Sequence, residues 1–332
     1  MKIYFVATIL SLMLFSCSSF APKREIASSD SLKSHIEMVS IPGINLKLRA
    51  GYFSEKEKLR GCVLFLQGLG DSMRNHAPYF KSLSEAGYRL ISFDYMGQGG
   101  SEGTMNKTRL STGFPPDVTE IMLKKYHQKE KYYEIGHQAN YIWDTFSKVK
   151  NEEGESCVNS KKRVIGWSTG GLAAYKMAKD KLADAVVLIA PGIHIKFMVG
   201  EAKKSPSKLF FLQQVITERT LTRNRFQKVP NPHIDPIKPT SPAHIPQFSG
   251  NLYLTSKESQ GWKISKDIPG TVFLSGLKDT YVDRDRTINT IRKNSSHFEI
   301  SSYDGALHEL DNEIDKVTND LYSKTILFFN SI

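Results

Sequence analysis

Short apolar runs that fit β-strands alternate along most of this chain with longer segments whose apolar residues recur at helical spacing. The clearest predicted strands are Arg89–Asp94, Asp184–Ala190 and Thr271–Leu274, and the clearest helices lie near Tyr133–Val149 and Asn312–Asn330. Strands that are apolar throughout and alternate with helices are typical of a mostly parallel sheet flanked by helices on both faces. The pattern therefore predicts an α/β fold.

Two stretches depart from this alternation. Near the start, Ile36–Ile41 and Leu46–Tyr52 flank Pro42-Gly43, which predicts an antiparallel hairpin at the beginning of the sheet. From Pro191 to about Asp267 the alternation of strands and helices is lost. With 332 residues, the chain is long enough to bury a full core as one domain.

The amino terminus has the pattern of a targeting signal. A basic Met1-Lys2 precedes an almost unbroken apolar run from Ile3 to Phe15, which is too short to span a bilayer. The run ends in Leu14-Phe15-Ser16-Cys17, which resembles a bacterial lipobox, so we expect residues 1–16 to be a lipoprotein-type signal peptide and Cys17 to be lipidated. Plain secretion with cleavage nearby is the alternative.

A polar segment rich in Ser and Lys follows, and we expect residues 17–34 to be a flexible tether to a folded domain at 35–332. The protein would then be exported and anchored to a membrane as a lipoprotein. In a Gram-negative cell, Ser18-Ser19 after the cysteine favours the outer membrane or a face toward the periplasm.

Charge adds a second hint of a membrane surface. The chain has 45 Lys plus Arg against 34 Asp plus Glu, a formal net charge of +11. No nucleic-acid-binding motif accompanies these charges, so we expect no nucleic-acid partner. Attraction of basic patches to anionic headgroups is the simplest interpretation for a lipid-anchored protein, and a solvated surface without a partner is the alternative.

The strongest chemical signal is Gly166-Trp167-Ser168-Thr169-Gly170, which connects a β-branched strand to a helix-forming segment. Strand, tight turn and helix form the context in which Gly-x-Ser-x-Gly indicates a nucleophile elbow. A serine at the apex of that turn has a strained backbone, and only small residues two positions away let strand and helix approach each other. Ser168 is therefore the candidate nucleophile, and it requires a base.

A carboxylate and a histidine follow in suitable places. Asp279 comes shortly after the strand Thr271–Leu274, and His308 comes shortly after a strand predicted at Phe298–Ser301. Open α/β sheets build their sites at the carboxyl ends of strands, and Ser, Asp, His is the triad order of α/β-hydrolases. Asp283 is a rival for the acid. A helix cap or a surface histidine is the ordinary interpretation of either residue alone, but the three together predict a triad.

Together these segments resemble the α/β-hydrolase superfamily, closest to monoacylglycerol lipases and bacterial lysophospholipases. The resemblance rests on Leu64–Gly70, Ile91–Gly103, Gly166–Gly170, Ser275–Asp279 and Ala306–Leu310. It implies Ser168 as nucleophile, Asp279 rather than Asp283 as acid and His308 as base. It also implies a cap domain inserted at about residues 192–267.

The resemblance further implies an oxyanion hole made by the backbone amides of Thr169 and Leu69. The family usually has His-Gly where this chain has Gln67-Gly68, a change that leaves the backbone donors in place. Asp94 and the glycines after it are interpreted as a turn that braces the site.

Export makes the two remaining cysteines, Cys62 and Cys157, candidates for a disulfide. In the family's strand order the strands next to them are neighbours, and both cysteines would lie away from the active site. We expect a disulfide, with two free thiols as the alternative.

The function implied by the resemblance is hydrolysis of a carboxylic ester of a small lipid, monoacylglycerol-like or lysophospholipid-like, through an acyl-enzyme. The resemblance calls for no metal and no cofactor. The same triad serves peptidases and thioesterases, and a surface lipoprotein that uses the fold only as a binding scaffold is a non-enzymatic alternative. The sequence leaves the oligomeric state open.

Overall fold

A computed structural model describes the chain over residues 32–42, 44–54, 58–111, 133–196 and 245–332. The predicted signal peptide, Cys17, most of the predicted tether and residues 197–244 of the predicted cap lie outside the described residues. Within the described ranges, no helix combines the length and the apolar character needed to cross a bilayer.

Eight strands and six α-helices make up the regular structure of the described residues. The strands are β1 (Ser34–Ser40), β2 (Lys47–Phe53), β3 (Gly61–Leu66), β4 (Tyr88–Phe93), β5 (Arg163–Trp167), β6 (Ala185–Ile189), β7 (Gly270–Leu274) and β8 (Glu299–Ser302). The helices are α1 (Ala77–Glu85), α2 (Ile135–Phe146), α3 (Thr169–Lys179), α4 (Pro246–Ser259), α5 (Arg284–Asn294) and α6 (Asp315–Asn330).

All eight strands belong to one sheet in the order β1-β2-β4-β3-β5-β6-β7-β8. β1 and β2 form the predicted antiparallel hairpin, and β2 also runs antiparallel to β4. From β4 to β8 every neighbouring pair is parallel, so the carboxyl ends of β5, β7 and β8 meet at one edge of the sheet. This is the predicted α/β architecture, and it brings the elbow and both later loops to that edge.

The buried strands send alternate side chains into two separate cores. In β3, Leu64 and Leu66 join a cluster with residues of α2, α3 and α4, whereas Val63 and Phe65 join a cluster with residues of α1 and α6. Helices therefore cover both faces of the sheet, which explains why its central strands are apolar at every position.

The carboxyl-terminal part of the predicted cap packs on the main domain. Phe248 on α4 is fully buried in the core cluster that includes α3, and the Tyr175 hydroxyl of α3 donates to the Trp262 carbonyl at 3.1 Å. One face of α4, which includes Phe248 and Leu252, is buried against this core and holds the end of the predicted insertion against the sheet domain.

A disulfide joins Cys62 at the start of β3 to Cys157 in the loop before β5, with 5.8 Å between the Cα atoms. β3 and β5 are neighbours in the sheet, and both cysteines lie at the amino-terminal side of their strands. In the chain-entropy model, closing a loop of 95 residues stabilises the fold by about 4–5 kcal/mol.

Candidate active site

Ser168 occupies a sharp turn between β5 and α3, and its backbone φ is +56°. Positive φ is uncommon for a residue with a side chain, and it is found where surrounding structure enforces it. A Cβ on Gly166 would lie 2.2 Å from the Gly170 carbonyl oxygen, and a Cβ on Gly170 would lie 2.0 Å from that of Leu66. The two glycines are therefore required by the close approach of strand and helix, as the motif predicts.

The structure brings Ser168, His308 and Asp279 into one chain of hydrogen bonds. His308 Nε2 is 2.7 Å from Ser168 Oγ, and His308 Nδ1 is 2.9 Å from Asp279 Oδ2. With its proton on Nδ1, the imidazole donates to the carboxylate and accepts from the serine hydroxyl. Ser168 is partly exposed, whereas His308 and Asp279 are buried.

The loop after β7 holds Asp279 as a carboxylate. Its Oδ1 accepts from the Tyr281 amide at 2.7 Å and the Val282 amide at 3.1 Å, and its Oδ2 accepts from the Ser275 hydroxyl. Burial alone would raise the pKa of Asp279, but His308 and these hydrogen bonds lower it below its usual value. The Asp279 carboxylate is thus charged and fixed in orientation.

Aromatic rings hold the imidazole of His308. The Tyr281 ring stacks on it with 4.7 Å between centroids, and the Trp167 ring lies 5.6 Å away. Trp167 Nε1 also donates to the His308 carbonyl at 3.0 Å. Trp167, the residue before Ser168, therefore positions the backbone of His308, a role that the sequence motif alone does not reveal.

Asp283, the rival acid, has a different environment. It is the N-cap of α5, and its Oδ1 accepts from the Arg286 amide at 3.1 Å. The carboxylate that faces His308 is that of Asp279.

The loop after β3 carries Leu69, and the turn after β4 fixes the residues around it. The Gly70 amide donates to Gln98 Oε1 at 2.8 Å, and the Tyr95 hydroxyl donates to the Gln67 carbonyl at 2.7 Å. A Cβ on Gly68 would lie 2.5 Å from the Trp167 ring, so the loop approaches the elbow closely.

Asp94 adds to this brace from the end of β4. It accepts from the Met73 amide at 2.9 Å and the Gly100 amide at 2.8 Å, and it pairs with Arg49 at 2.5 Å. Burial raises the pKa of Asp94 although Arg49 and the two amides oppose this shift. The geometry agrees with a bracing role for this turn.

Thr169, the other predicted donor, is the first residue of α3. The first N–H groups of a helix have no intrahelical acceptor and lie at the positive end of its dipole. If Ser168 Oγ attacked a carbonyl carbon, the negative charge that develops on the carbonyl oxygen would be stabilised by this end of the helix.

A second histidine–carboxylate group lies beneath the site, and sequence reasoning missed it. His76 is fully buried, with Nδ1 at 2.5 Å from Asp311 Oδ2 and Nε2 at 3.3 Å from Asp71 Oδ2. Burial alone would lower its pKa, but the carboxylates of Asp311 and Asp71 raise it from 6.5 to about 10. The ring packs on Phe65 at 4.5 Å and on Trp167 at 5.6 Å between centroids.

Three buried residues here have atoms that could bind a metal ion, and these atoms lie within 4.8 Å of one another. The residues are Asp71, His76 and Glu309. Each ring nitrogen of His76 faces a carboxylate, and its raised pKa favours a proton on both. A metal requires a deprotonated nitrogen, so this donor set fits an ion-pair network better than a metal centre.

Comparisons with known proteins are consistent with this architecture. A family described as serine aminopeptidase, S33, matches residues 57–241. A search of curated proteins found no sequence match. Among solved structures, the chain is similar to a soluble variant of monoglyceride lipase from Saccharomyces cerevisiae in complex with a substrate analogue. The TM-score is 0.61 and the identity is 15%, over 92% of this chain and 98% of that chain.

Two archaeal structures are similar as well. Monoacylglycerol lipase from Paleococcus ferrophilus gives a TM-score of 0.52 with 19% identity, over 86% of this chain and 98% of that chain. An esterase from Pyrococcus furiosus gives 0.56 with 16% identity, over 95% and 97% of the two chains. At these identities the likeness shows the α/β-hydrolase fold.

Proposed function

The chain belongs to the serine aminopeptidase, S33, family, and from that membership and the geometry of its sheet edge we propose that it is a serine esterase. In this proposal it hydrolyses carboxylic esters of lipids, monoacylglycerol-like or lysophospholipid-like, through a covalent acyl-enzyme. The observation that carries the proposal is the continuous relay from Ser168 through His308 to Asp279, at 2.7 and 2.9 Å.

The proposed reaction begins with removal of the Ser168 proton by His308 Nε2 as Oγ attacks the ester carbonyl carbon. The C–O bond to the alcohol then breaks, and the imidazolium gives its proton to the departing oxygen. Water repeats the sequence on the acyl-enzyme and releases the acid. Asp279 keeps the imidazole in the correct tautomer and stabilises its charged form.

An oxyanion forms both when the acyl-enzyme is made and when water hydrolyses it, and it needs hydrogen-bond donors that are already in place. We assign the amides of Thr169 and Leu69 to this role. The position of Thr169 at the start of α3 and the bracing of the Leu69 loop by Gln98 and Tyr95 support the assignment.

Ester hydrolysis is favoured over peptide hydrolysis by the likeness to two monoglyceride lipases and an esterase. The family description names an aminopeptidase, so peptide hydrolysis is the second candidate. Monoacylglycerol, lysophospholipid, acyl-thioester and aminoacyl-arylamide substrates, tested side by side, distinguish the lipid esterase from the thioesterase and the peptidase.

The decisive experiment compares Ser168→Ala with Ser331→Ala, a change of an exposed serine at the carboxyl terminus. We expect Ser168→Ala to lose about 10,000-fold or more of kcat on a p-nitrophenyl ester and all labelling by a fluorophosphonate. Ser331→Ala is expected to behave as wild type. If Ser168→Ala kept its turnover and its labelling, the nucleophile assignment would be wrong. A wild-type protein that is folded but never labelled would point to a binding scaffold.

We further propose that Cys17 is lipidated and that the enzyme is exported and works at a membrane surface. The apolar run before Cys17 and the basic charge of the chain support this. Cys17→Ser should abolish labelling by a palmitate analogue and release the protein from the membrane fraction, whereas an unchanged distribution would exclude the anchor.

A further inference from the structure

A cavity of about 220 Å³ lies between α4, α5 and the segment that follows β6. One water needs only about 15 Å³ of such space, so the cavity has room for a polyatomic group. Nothing in the proposed relay accounts for it.

Positive charge dominates the cavity wall. Among the described residues, three cations and one acidic residue line it, namely Lys196, Lys257, Arg286 and Asp283. Asp283 Oδ1 is directed at the Arg286 amide, at 3.1 Å, where it caps α5. Among the residues that the structure describes, none of the three cations forms an ion pair with a carboxylate. The wall therefore offers three positive groups from three different segments.

The histidine in the wall responds to this charge. Burial, together with Arg286 and Lys257, lowers the pKa of His194 from 6.5 to about 4, although Asp283 opposes the shift. His194 Nε2 is 2.7 Å from the Thr290 hydroxyl. Because burial is the largest cause of this shift, the imidazole is neutral and adds no charge to the cavity wall.

The segment that follows β6 and lines the cavity also packs on the backbone of the proposed nucleophile. The Gly192 amide donates to the Ser168 carbonyl at 2.9 Å. A Cβ on Gly192 would lie 3.5 Å from that carbonyl oxygen and 3.9 Å from Cγ1 of Ile195, which lines the cavity.

The same segment contacts the loop that carries the proposed acid as well. Lys196 Nζ donates to the Asp279 carbonyl at 3.1 Å, and the Lys196 amide donates to the Tyr281 carbonyl at 2.8 Å. Tyr281 in turn stacks on His308. A group held in the cavity would thus lie next to the loops that carry the relay.

We propose that this cavity binds a phosphate group through Lys196, Lys257 and Arg286. Lysine and arginine are the usual protein ligands of phosphate, whose oxygens accept from several donors at once. The phosphate of a lipid headgroup and free inorganic phosphate share this chemistry. If the headgroup fills the site, which rests on the ester hydrolysis proposed above, the substrate is a phosphate-bearing lipid ester.

The test uses the double variant Lys257→Gln/Arg286→Gln and the control Arg292→Gln/Lys293→Gln. The control residues are exposed on the last turn of α5, outside the cavity wall, and their loss changes the net charge equally. Binding of inorganic phosphate is measured by calorimetry, which needs no turnover. A lysophospholipid and a monoacylglycerol with the same short acyl chain are then hydrolysed below their critical micelle concentrations, so that no charged interface contributes.

We expect the cavity variant to bind inorganic phosphate about tenfold more weakly than the control. If the headgroup fills the site, kcat/KM for lysophospholipid falls about tenfold more than kcat/KM for monoacylglycerol, mainly through KM. If free phosphate fills it, added phosphate changes monoacylglycerol turnover in wild type and in the control but less in the cavity variant.

Equal phosphate binding by the two variants, with an equal ratio of lysophospholipid to monoacylglycerol turnover, would overturn the site. Competition by a fatty-acid anion but not by phosphate would overturn the ligand chemistry. Failure of the esterase proposal looks different, because then wild type hydrolyses neither lipid and no fluorophosphonate label appears.

Discussion

Two histidines contact Trp167, each at 5.6 Å between ring centroids, and their surroundings give them opposite properties. His308 has one carboxylate, on Nδ1, and the partly exposed Ser168 hydroxyl on Nε2. His76 has a carboxylate at each nitrogen and no exposed surface. One ring faces the candidate nucleophile, and the other is an interior cation.

The comparison teaches that a buried Asp–His pair is not by itself a sign of catalysis. A general base must be able to cycle between protonation states next to a reacting proton. His76, with a pKa of about 10 and carboxylates on both sides, stays charged through the neutral range. Its structural position is still informative, because it joins the segment after the Leu69 loop to the segment after His308.

The largest expected effect separates the two histidines by activity. His308→Gln should lower kcat on a p-nitrophenyl ester by about 10,000-fold, because it removes the base while it leaves the fold intact. Its thermal midpoint should remain near that of wild type. A His308→Gln enzyme with substantial turnover would remove the distinction between the two histidines.

The second largest effect distinguishes the two histidines by the free energy of unfolding. His76→Gln should lower the free energy of unfolding by about 3–5 kcal/mol, because Asp71 and Asp311 then lose their buried counter-charge. The control is His35→Gln, a change of an exposed histidine, which should stay within about 0.5 kcal/mol of wild type in urea titrations. A His76→Gln protein as stable as wild type but inactive would mean that His76 takes part in the chemistry.

These two histidines also mark how far the sequence alone could lead. Ser168 was predictable because its turn is encoded locally by two glycines between a strand and a helix. Asp279 and His308 were predictable from their places after strands that end at the same edge.

The network around His76 was not predicted, because His76 and Asp311 are 235 positions apart and neither lies in a recognised motif. A weak signal existed in the three acidic residues that closely follow His308, namely Glu309, Asp311 and Glu313, and the structure buries all three. The stacking of Tyr281 on His308 was not predicted either, because it depends on how two distant loops meet. Sequence periodicity assigns elements to faces of the sheet, but it does not specify which loop side chains touch.

A smaller effect is expected for each unit of pH, in the difference in unfolding free energy between wild type and His76→Gln. The pKa of His76 is raised on folding, so its contribution to stability is fully present below about pH 6.5 and is lost as pH rises toward about 10. The stability difference between wild type and His76→Gln should therefore shrink by up to about 1.4 kcal/mol per pH unit across that window. Urea titrations of both proteins at intervals from pH 6.5 to 10 measure it. A difference that is constant or grows with pH would show that His76 is neutral in the folded protein.

The smallest effect should come from Asp71→Asn, and it tests which carboxylate holds the cation. Asp311 lies closer to His76, at 2.5 Å against 3.3 Å for Asp71, and both carboxylates are buried. Removal of the Asp71 charge leaves one imidazolium facing one carboxylate, so no buried charge loses its only partner. The expected cost is about 1 kcal/mol, the net contribution of an ordinary hydrogen bond, whereas Asp311→Asn should cost more. Urea titrations of the two variants at pH 7 give the order. If Asp71→Asn destabilised the protein more than Asp311→Asn, Asp71 would be the main partner of the His76 cation. His76 would then stabilise the segment that follows the Leu69 loop more than it stabilises the segment that follows His308.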